Sequence, residues 1–221
     1  MRFENNATLR FMTGGGSDKS RSSVPTRVLC VTEVEKFETI SKKSREANPL
    51  AQLEARTMGS ARPRIYLECT VTTEGGATWQ EYRGGSAGRI VLPCPHCHKW
   101  TTPERENLIG WQGAKDEIEA RDTSLIHCPE CAAAWTEDER KAANLAGKVV
   151  HRGQEISDTG EISGPLPRTE TLGFRWNAAN NMLVPIGRAA LDEFRGARQR
   201  NQESAERQVL QFRWATPTKD A

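Results

Sequence analysis

Four cysteines in two short motifs are the residues of this sequence whose types and spacing best suit a defined chemistry. They occur as Cys94-Pro-His-Cys97 and Cys128-Pro-Glu-Cys131, with two residues between the cysteines of each pair. A C-x-x-C turn lets both sulfurs face one point, and two such turns complete the tetrahedral ligand set of Zn²⁺. The pattern therefore predicts one structural zinc ion held by Cys94, Cys97, Cys128 and Cys131.

The two cysteine pairs are farther apart than in a usual zinc ribbon. Residues 98–127 separate them, so a longer hairpin or an extra loop must lie between the two turns. His96, His98 and His127 are close enough to be spare ligands, but we expect each of them to be exposed or hydrogen-bonded. The alternative interpretation of the four cysteines is a set of buried, inert thiols.

A glycine run at residues 14–16, followed by Lys19-Ser20, suggests a phosphate-binding loop. A Walker A loop requires G-x-x-x-x-G-K-[ST], because its glycines let backbone N–H groups wrap the phosphates while the lysine supplies charge. Counted back from Lys19, the two required glycines fall on Asp18 and Thr13. A carboxylate at position 18 would oppose phosphate, so we interpret this stretch as a flexible polar connection.

The apolar run that follows indicates a nucleotide-facing strand end. Residues 27–31 form a short, mainly apolar run with β-branched valines. Such a run predicts a strand buried on both faces in a parallel sheet. The run ends at Thr32-Glu33, and ligand sites of α/β sheets lie at the carboxyl ends of their strands. Glu33 is therefore a candidate to polarise water at a nucleotide; the alternative is a solvated acid at a strand end.

Composition limits the possible classes of protein. The 221 residues carry a formal net charge of +2, which is too mild to indicate an overall basic field for nucleic acid. No apolar run approaches the roughly 18 residues of a membrane span, and no secretory signal is visible, so neither membrane insertion nor secretion is predicted. The six cysteines therefore favour thiols or metal ligands over disulfides, and we expect the isolated Cys30 and Cys69 to be core residues.

Strand and helix patterns alternate along the chain, which predicts an α/β sheet with a small β excursion at the cysteines. Asn48 and Pro49 open a helix that places Leu50 and Leu53 in the core. Thr136 and Glu139 form a capping box for another helix that ends at Gly147. The remaining predicted elements are a hairpin turning at Asn5-Asn6, a buried strand over 64–72, a strand over 171–181, and helices near 187–199 and 203–214.

Several stretches occur in an order that is more specific than any one of them. They are a glycine-rich loop with Arg21, the strand ending at Glu33, EANPLAQLEARTMGSARPRIYLECTV, TWQEYRGG, RIVLPCPHCHKW, CPEC and TLGFRWNAANNML. Over nearly its whole length the chain resembles the lambda-type phage terminase large subunit, the GpA-like DNA-packaging ATPase family. The resemblance implies an α/β fold that forms part of a P-loop-type ATPase sheet with an inserted four-cysteine zinc ribbon. It also implies an ATP hydrolase that drives viral DNA into the capsid.

The resemblance assigns roles to individual residues. Glu33 matches the catalytic glutamate of the family's Walker B strand, and Thr32 stands where the family has its Mg²⁺-linked aspartate. A neutral hydroxyl holds the water shell of the metal less firmly than a carboxylate does. Arg21 and Arg56 match arginines near the nucleotide, and Thr70 matches the threonine of the Ser-Thr-Pro coupling segment. The four cysteines fall on the zinc-like insertion.

The resemblance also implies a domain organisation, cofactors and partners. It divides the chain into the C-terminal part of an ATPase core (1–90), a zinc-ribbon insertion (91–136) and the remainder of the ATPase domain (137–221). The implied cofactors are structural Zn²⁺ and, in the complete protein, ATP and Mg²⁺. The implied partners are double-stranded DNA, the small terminase subunit and the portal of the procapsid, in the host cytoplasm and with no membrane.

The family's Walker A loop and nuclease domain are not found in the 221 residues, which suggests a split, truncated or decayed reading frame. We therefore expect these residues alone to neither bind ATP tightly nor hydrolyse it, because phosphoryl transfer depends on positioning and charge neutralisation. A second interpretation, from a different functional class, is a non-catalytic zinc-ribbon module that binds DNA or a protein partner.

Overall fold

The computed structural model describes residue 4 and residues 7–12, 25–36 and 49–219. The chain separates into two compact units, residues 1–70 (the first unit) and residues 71–221 (the second unit). Both are mixed α/β structures with small sheets. None of the helices in the described part of the chain is long and apolar enough to cross a lipid bilayer.

The first unit is organised around a parallel strand pair, β1 (Val28–Thr32) and β2 (Arg64–Glu68). Parallel strands need a crossover connection. Here the described part of the crossover contains a 3₁₀ turn, Val34–Lys36, the helix α1, Pro49–Glu54, and a second 3₁₀ turn, Ala55–Thr57. The parallel pairing confirms the sequence-based expectation for this segment.

Among the described residues of the first unit, only one face of the pair is packed against other elements. Leu53 of α1 is buried together with Val31 and Val34, and Leu50 packs against the same cluster, as predicted. The predicted burial of both faces is wrong: successive side chains alternate between faces, and Cys30 lies on the exposed one. Cys30 is therefore not a core residue, whereas Cys69 is partly buried against the cluster.

Three further predictions for the first unit have different outcomes. The strand predicted over 64–72 is shorter than expected and ends at Glu68, and most of its side chains are exposed because it is an edge of a two-stranded sheet. The helix cap at Asn48, and the hairpin turn at residues 5 and 6, lie outside the described residues.

The second unit contains fourteen α-helices and strands in its described residues. In chain order they are α2 (Ala77–Gly84), β3 (Gly88–Pro93), β4 (Trp100–Thr101), β5 (Leu108–Ile109), α3 (Glu117–Thr123), β6 (Leu125–His127), β7 (Ala134–Trp135), α4 (Glu137–Leu145), β8 (Lys148–Val150), β9 (Glu155–Ile156), β10 (Ile162–Ser163), β11 (Phe174–Arg175), α5 (Gly187–Gly196) and α6 (Gln202–Trp214). Short 3₁₀ turns lie at Arg105–Asn107, Trp111–Gly113 and Ala178–Asn180.

Strand β3 is the centre of the largest sheet of this unit. It pairs in antiparallel fashion with β4 and with β8, and in parallel fashion with β11. A separate antiparallel sheet has the order β5-β6-β7. The β3–β4 and β6–β7 connections are the two tight hairpins that carry the cysteine pairs, and α3 fills the long spacing between them.

One hydrophobic core joins both cysteine hairpins to the helices that follow them. Its buried members are Leu92, Cys94, Leu108, Ile126, Cys128, Trp135, Ala143, Ala179, Ile186, Ala189, Ala190, Val209 and Trp214. Most of these residues come from the sheet strands and from α4, α5 and α6, and Cys94 and Cys128 come from the hairpin turns. The predicted insertion (91–136) thus shares its core with the segment 137–221 that follows it.

Local signals predicted three of the helices of this unit, α4, α5 and α6, but not α2 or α3. The Thr136 hydroxyl accepts the N–H of Glu139 at 3.2 Å, and the Glu139 carboxylate accepts the N–H of Thr136 at 2.7 Å, so the predicted capping box opens α4. That helix ends at Leu145, close to the predicted Gly147. Helices α5 and α6 lie close to the predicted ranges, whereas the strand predicted over 171–181 is reduced to β11, Phe174–Arg175.

Candidate functional site

The two cysteine hairpins have the same backbone turn. In the first, the N–H of Cys94 donates to the carbonyl of Lys99 at 2.9 Å, and the N–H of His98 donates back to the Cys94 carbonyl at 3.0 Å. In the second, Cys128 donates to the Ala133 carbonyl at 2.9 Å, and its own carbonyl accepts the Ala132 N–H at 3.0 Å. Each turn therefore holds its sulfurs in an equivalent position.

Each turn also contains one residue in the left-handed region of backbone space. His98 has φ of 62° and Ala132 has φ of 58°, and both directly follow the second cysteine of their pair. This conformation costs a non-glycine residue about 1–2 kcal/mol. The surrounding turn must offset that cost, which is a common property of backbone at functional sites.

The turns bring all four sulfurs together. The Sγ atoms of Cys94, Cys97, Cys128 and Cys131 all lie within 4.8 Å of one another. Across the two hairpins, Cys94 and Cys131 are 3.8 Å apart and Cys97 and Cys128 are 3.9 Å apart. A tetrahedron of sulfurs at the Zn–S distance of about 2.3 Å has edges of about 3.8 Å. The two distances across the hairpins thus match the edges of a zinc tetrahedron.

Backbone N–H groups point at the sulfurs of the two buried cysteines, Cys94 and Cys128, and favour their thiolate forms. The Cys94 Sγ accepts from His96 at 3.4 Å and from Cys97 at 3.5 Å, and the Cys128 Sγ accepts from Glu130 at 3.4 Å. Burial alone raises the pKa of the Cys94 thiol, but these N–H donors and the neighbouring thiols outweigh it and lower that pKa to about 6.

The pKa of the other buried thiol, Cys128, is shifted in the opposite direction. Burial, together with hydrogen bonds to Cys94 and Cys131, raises the pKa of Cys128 to about 12. The four thiols share protons, so the first anion forms readily at Cys94 and the next one is opposed by it. A divalent cation at the centre would remove this opposition, because it attracts every thiolate.

The histidines beside the cluster have other partners or face solvent, as expected. His96 Nε2 lies 3.5 Å from a Glu139 carboxylate oxygen, and His127 Nδ1 lies 3.0 Å from the Ala132 carbonyl oxygen. His98 is exposed. Four cysteine ligands would leave no open coordination position for water, in contrast to a hydrolytic zinc site.

Tryptophans pack around the two hairpins. Trp135 is buried in the shared core, and Trp111 packs against it from its 3₁₀ turn. The Trp100 ring is covered by the Lys148 ammonium, 5.2 Å from the ring centroid, and by Gly160, where an added Cβ would lie 2.5 Å from the ring. These rings therefore support the cysteine hairpins through packing.

A second set of candidate residues lies at the carboxyl ends of β1 and β2 in the first unit. Thr32 and Glu68 are in-register partners, so their side chains leave the same face of the pair. Glu33 follows directly with φ of 57°, and Thr70 follows two residues after Glu68. Thr32, Glu33 and Thr70 are thus brought to one edge of the strand pair, as ligand sites of parallel sheets require.

Cys69 links the two strand ends at this edge. Its Sγ accepts the N–H of Glu35 at 3.4 Å, across the gap between the two strands. Burial raises the pKa of the Cys69 thiol, and the nearby carboxylates of Glu35, Glu33 and Glu68 raise it further. Three carboxylates, those of Glu33, Glu35 and Glu68, thus lie near this thiol.

The predicted arginines are not both found at this edge. The carbonyl of Arg56 accepts the N–H of Thr26 at 3.0 Å, which places the Arg56 backbone at the amino end of β1. A five-residue strand spans roughly 13 Å or more, so Arg56 and Glu33 lie at opposite ends of β1. The Arg56 Nε donates to the Gln52 carbonyl at 3.2 Å. Arg21 lies outside the described residues.

Glu68 is a candidate residue that sequence reasoning missed. Its position beside Thr32 depends on strand register, which no local pattern specifies. The available signal was an acidic residue at the end of an apolar run, RIYLE.

The fold and the two sets of residues describe a mixed α/β protein with a carboxylate-bearing strand edge and a four-cysteine cluster. A family model described as "Phage terminase large subunit gpA, ATPase domain" matches residues 2–149. This segment is more than half of the chain and includes Glu33, Thr70 and all four cysteines. The chain belongs to that family, which confirms the resemblance inferred from the order of its motifs. Comparison with curated proteins and with solved structures gave no significant match.

Proposed function

We propose that this chain supplies the Walker B edge, the coupling segment and a structural zinc module of an ATP-driven motor that packages viral DNA. The parallel register of β1 and β2 carries the proposal, because it brings Thr32 and Glu33 next to the segment that ends at Thr70. The family match supports the assignment to the ATPase of the large terminase subunit.

Glu33 is the residue to which we assign the chemistry. Its carboxylate stands at the end of β1, where it can accept the proton of the water that attacks the γ-phosphate. A positioned base of this kind contributes about 10²–10⁴-fold to a rate. The positive φ of Glu33 turns the chain sharply at this point, as strained residues at active sites often do.

ATP with Mg²⁺ fits the donors present at this edge. Oxygen donors are the ligands that Mg²⁺ prefers, and it usually keeps several waters. The Thr32 hydroxyl and the Glu68 carboxylate would hold that water shell, since they are in-register neighbours on the same face. When bound, the metal supplies charge neutralisation to the phosphates. Glu68 would therefore offset the absence of a carboxylate at Thr32.

In this proposal, Thr70 reports the state of the nucleotide to the rest of the motor. It comes two residues after the end of β2 and is the last residue of the first unit. A change at Glu33 reaches Thr70 through the β1–β2 pair and the Glu35–Cys69 hydrogen bond. This role in coupling is carried over from the family's Ser-Thr-Pro segment.

Zinc has a structural role in this proposal. The sulfur positions match a tetrahedral site, and Cys94 and Cys128 belong to the core that joins the hairpins to α4, α5 and α6. A structural zinc ion contributes on the order of 10 kcal/mol to the folding of a small module. Its loss would therefore disturb the helices as well as the hairpins.

Double-stranded DNA, the small terminase subunit and the procapsid portal are the partners of this motor.

The second candidate function is a non-catalytic zinc-ribbon module that binds DNA or protein; the closed four-cysteine cluster favours it. ATP hydrolysis discriminates between the two. In the motor, the chain joined to a Walker A segment hydrolyses ATP with Mg²⁺ and loses this activity with Glu33→Gln. A binding module binds its partner equally well with and without nucleotide and shows no turnover.

A further inference from the structure

A row of arginines crosses one face of the sheet around β3. Arg89 of β3 is the in-register parallel partner of Arg175 in β11, so both side chains leave the same face. On the other side, Arg89 is opposite Val150 in antiparallel β8. Arg152 follows two residues after the end of β8, and its N–H donates to the Ser86 carbonyl at 2.9 Å, so it lies beside the start of β3.

The charges of this row are only partly neutralised within the protein. Arg175 is held by the Glu104 carboxylate in two hydrogen bonds of 2.7 and 2.9 Å. Arg89 is exposed and has no carboxylate at ion-pair distance within the described residues. A positive charge thus remains beside the neutralised pair.

Arg152 adds a second exposed charge close to α2. Its guanidinium donates to the carbonyl oxygen of Arg83 and, at 2.7 Å, to that of Gly85, which are neutral acceptors at the end of that helix. Arg83 itself is exposed and, like Arg89, has no carboxylate partner among the described residues. Arg83 in the last turn of α2, Arg89 in β3 and Arg152 after β8 are therefore three exposed cations near the junction of α2 with the sheet.

Aromatic side chains complete this surface. Tyr82 lies against β11 on the arginine face, since an added Cβ at Gly173 would be 3.0 Å from Tyr82 atoms. Burial raises the pKa of the Tyr82 phenol, and the charges of Arg175, Arg89 and Arg152 oppose that rise, so the hydroxyl is close to the row. Trp79 stacks on Tyr82 with 5.3 Å between ring centroids. The Tyr82 hydroxyl can therefore donate a hydrogen bond close to these guanidinium groups.

We propose that Arg83, Arg89 and Arg152, with the hydroxyl of Tyr82, bind the phosphate backbone of double-stranded DNA. Guanidinium forks match phosphate oxygens in pairs, and tyrosine hydroxyls are common phosphate donors. Like charges at this spacing repel each other, and a bound phosphodiester removes that repulsion. The contact reads no base sequence, as suits a protein that moves along DNA. The choice of duplex DNA as the anion rests on the proposed packaging function.

The test is duplex binding as a function of salt concentration. A fluorescein-labelled duplex of random sequence is titrated with the 221-residue chain, and log Kobs is plotted against log salt. Arg89→Gln is expected to weaken binding several-fold and to lower the slope by about 1, because one phosphate contact is lost. The matched control is Arg207→Gln on α6, which removes the same charge from an exposed pair with Glu203. It is expected to leave the slope unchanged.

Three outcomes would overturn the proposal. They are an unchanged slope in Arg89→Gln, an equal loss in Arg207→Gln, and the absence of duplex binding by the wild-type chain. Binding to a single strand of equal length is measured as well. Tighter binding to the single strand than to the duplex would also overturn the proposal, because it would assign the surface to unpaired bases on Trp79 and Tyr82 instead. Zinc content and thermal unfolding check that the variants fold. ATP hydrolysis is measured separately, so failure here is distinguishable from failure of the packaging function.

Discussion

The Sγ atoms of Cys94 and Cys131 lie 3.8 Å apart, although the two residues are 37 positions apart in the sequence. The contact joins the β3–β4 hairpin to the β6–β7 hairpin, which belong to different sheets. Both hairpins contribute buried residues to the core of the second unit. A metal ion at this cluster would therefore connect two sheets and the helices packed on them.

We expect about one tightly bound Zn²⁺ per chain and its loss in Cys128→Ser. Removal of one ligand leaves a site with three thiolates, and the second unit is expected to unfold at lower temperature because its core includes the cluster. Metal analysis by mass spectrometry and thermal unfolding followed by circular dichroism are the measurements. Cys30→Ser is the control, since Cys30 is exposed and belongs to the first unit.

Two experimental results would contradict the zinc prediction. One is the absence of zinc from protein purified under reducing conditions without chelator. The other is an equal loss of metal from Cys30→Ser, which would mean that the four-cysteine cluster is not the binding site.

Relief of backbone strain in the second hairpin should stabilise the protein. Ala132 has φ of 58°, and glycine adopts this conformation without the penalty of a Cβ. Ala132→Gly is expected to raise the free energy of unfolding by about 0.5–1 kcal/mol, which is the strain removed less the entropy cost of glycine. Denaturant unfolding of the zinc-loaded protein measures it. Ala133→Gly, at the next position, is expected to destabilise by a similar amount, and stabilisation by both changes would contradict the explanation.

The buried guanidinium of Arg140 should make stability depend on Glu137 and on pH. Arg140 donates to Glu137 at 2.6 and 3.1 Å and to the Ala179 carbonyl at 2.9 Å. Burial raises the pKa of Glu137, but Arg140 outweighs burial and holds that pKa below its usual value of 4.5. The resulting stability is fully present above the unfolded-state pKa and is lost as the pH falls through the lower folded-state pKa.

Glu137→Gln is therefore expected to cost about 3–5 kcal/mol at neutral pH, because it leaves a buried charge unpaired. The difference from wild type should shrink as the pH falls below 4.5. Denaturant unfolding across this pH range is the measurement. Glu203→Gln serves as the control: its carboxylate is mostly exposed and pairs with Arg207 on α6, so a cost within about 0.5 kcal/mol is expected. Equal costs for the two variants at neutral pH would contradict the role of Arg140.

Local signals in the sequence were sufficient for features that depend on neighbouring residues. The C-x-x-C spacing predicted which cysteines meet, because each turn is only a few residues long. The capping box at Thr136 and Glu139 predicted the start of α4 for the same reason. The order of the motifs along the chain was likewise sufficient to identify the family.

Features that depend on distant contacts could not be predicted in this way. The position of Glu68 beside Thr32 is a property of strand register, and Cys30 is exposed because it lies on the face of β1 that the described residues leave uncovered. The shared core of the hairpins and α4, α5 and α6 depends on contacts across much of the second unit. The arginine row likewise depends on the pairing of β3 with β8 and β11.

Steady-state ATP hydrolysis tests the central claim most directly. The 221 residues contain no G-x-x-x-x-G-K-[ST] motif, so alone they are expected to be inactive. With a Walker A segment supplied in cis or as a separate chain, Mg²⁺-dependent turnover is expected. Glu33→Gln should then lower the rate by about 10²–10⁴-fold with ATP binding largely intact. Glu35→Gln, two residues further along, is the matched control and should retain most of the rate. Wild-type turnover in Glu33→Gln, or an equal loss in Glu35→Gln, would contradict the assignment of Glu33 as the catalytic base.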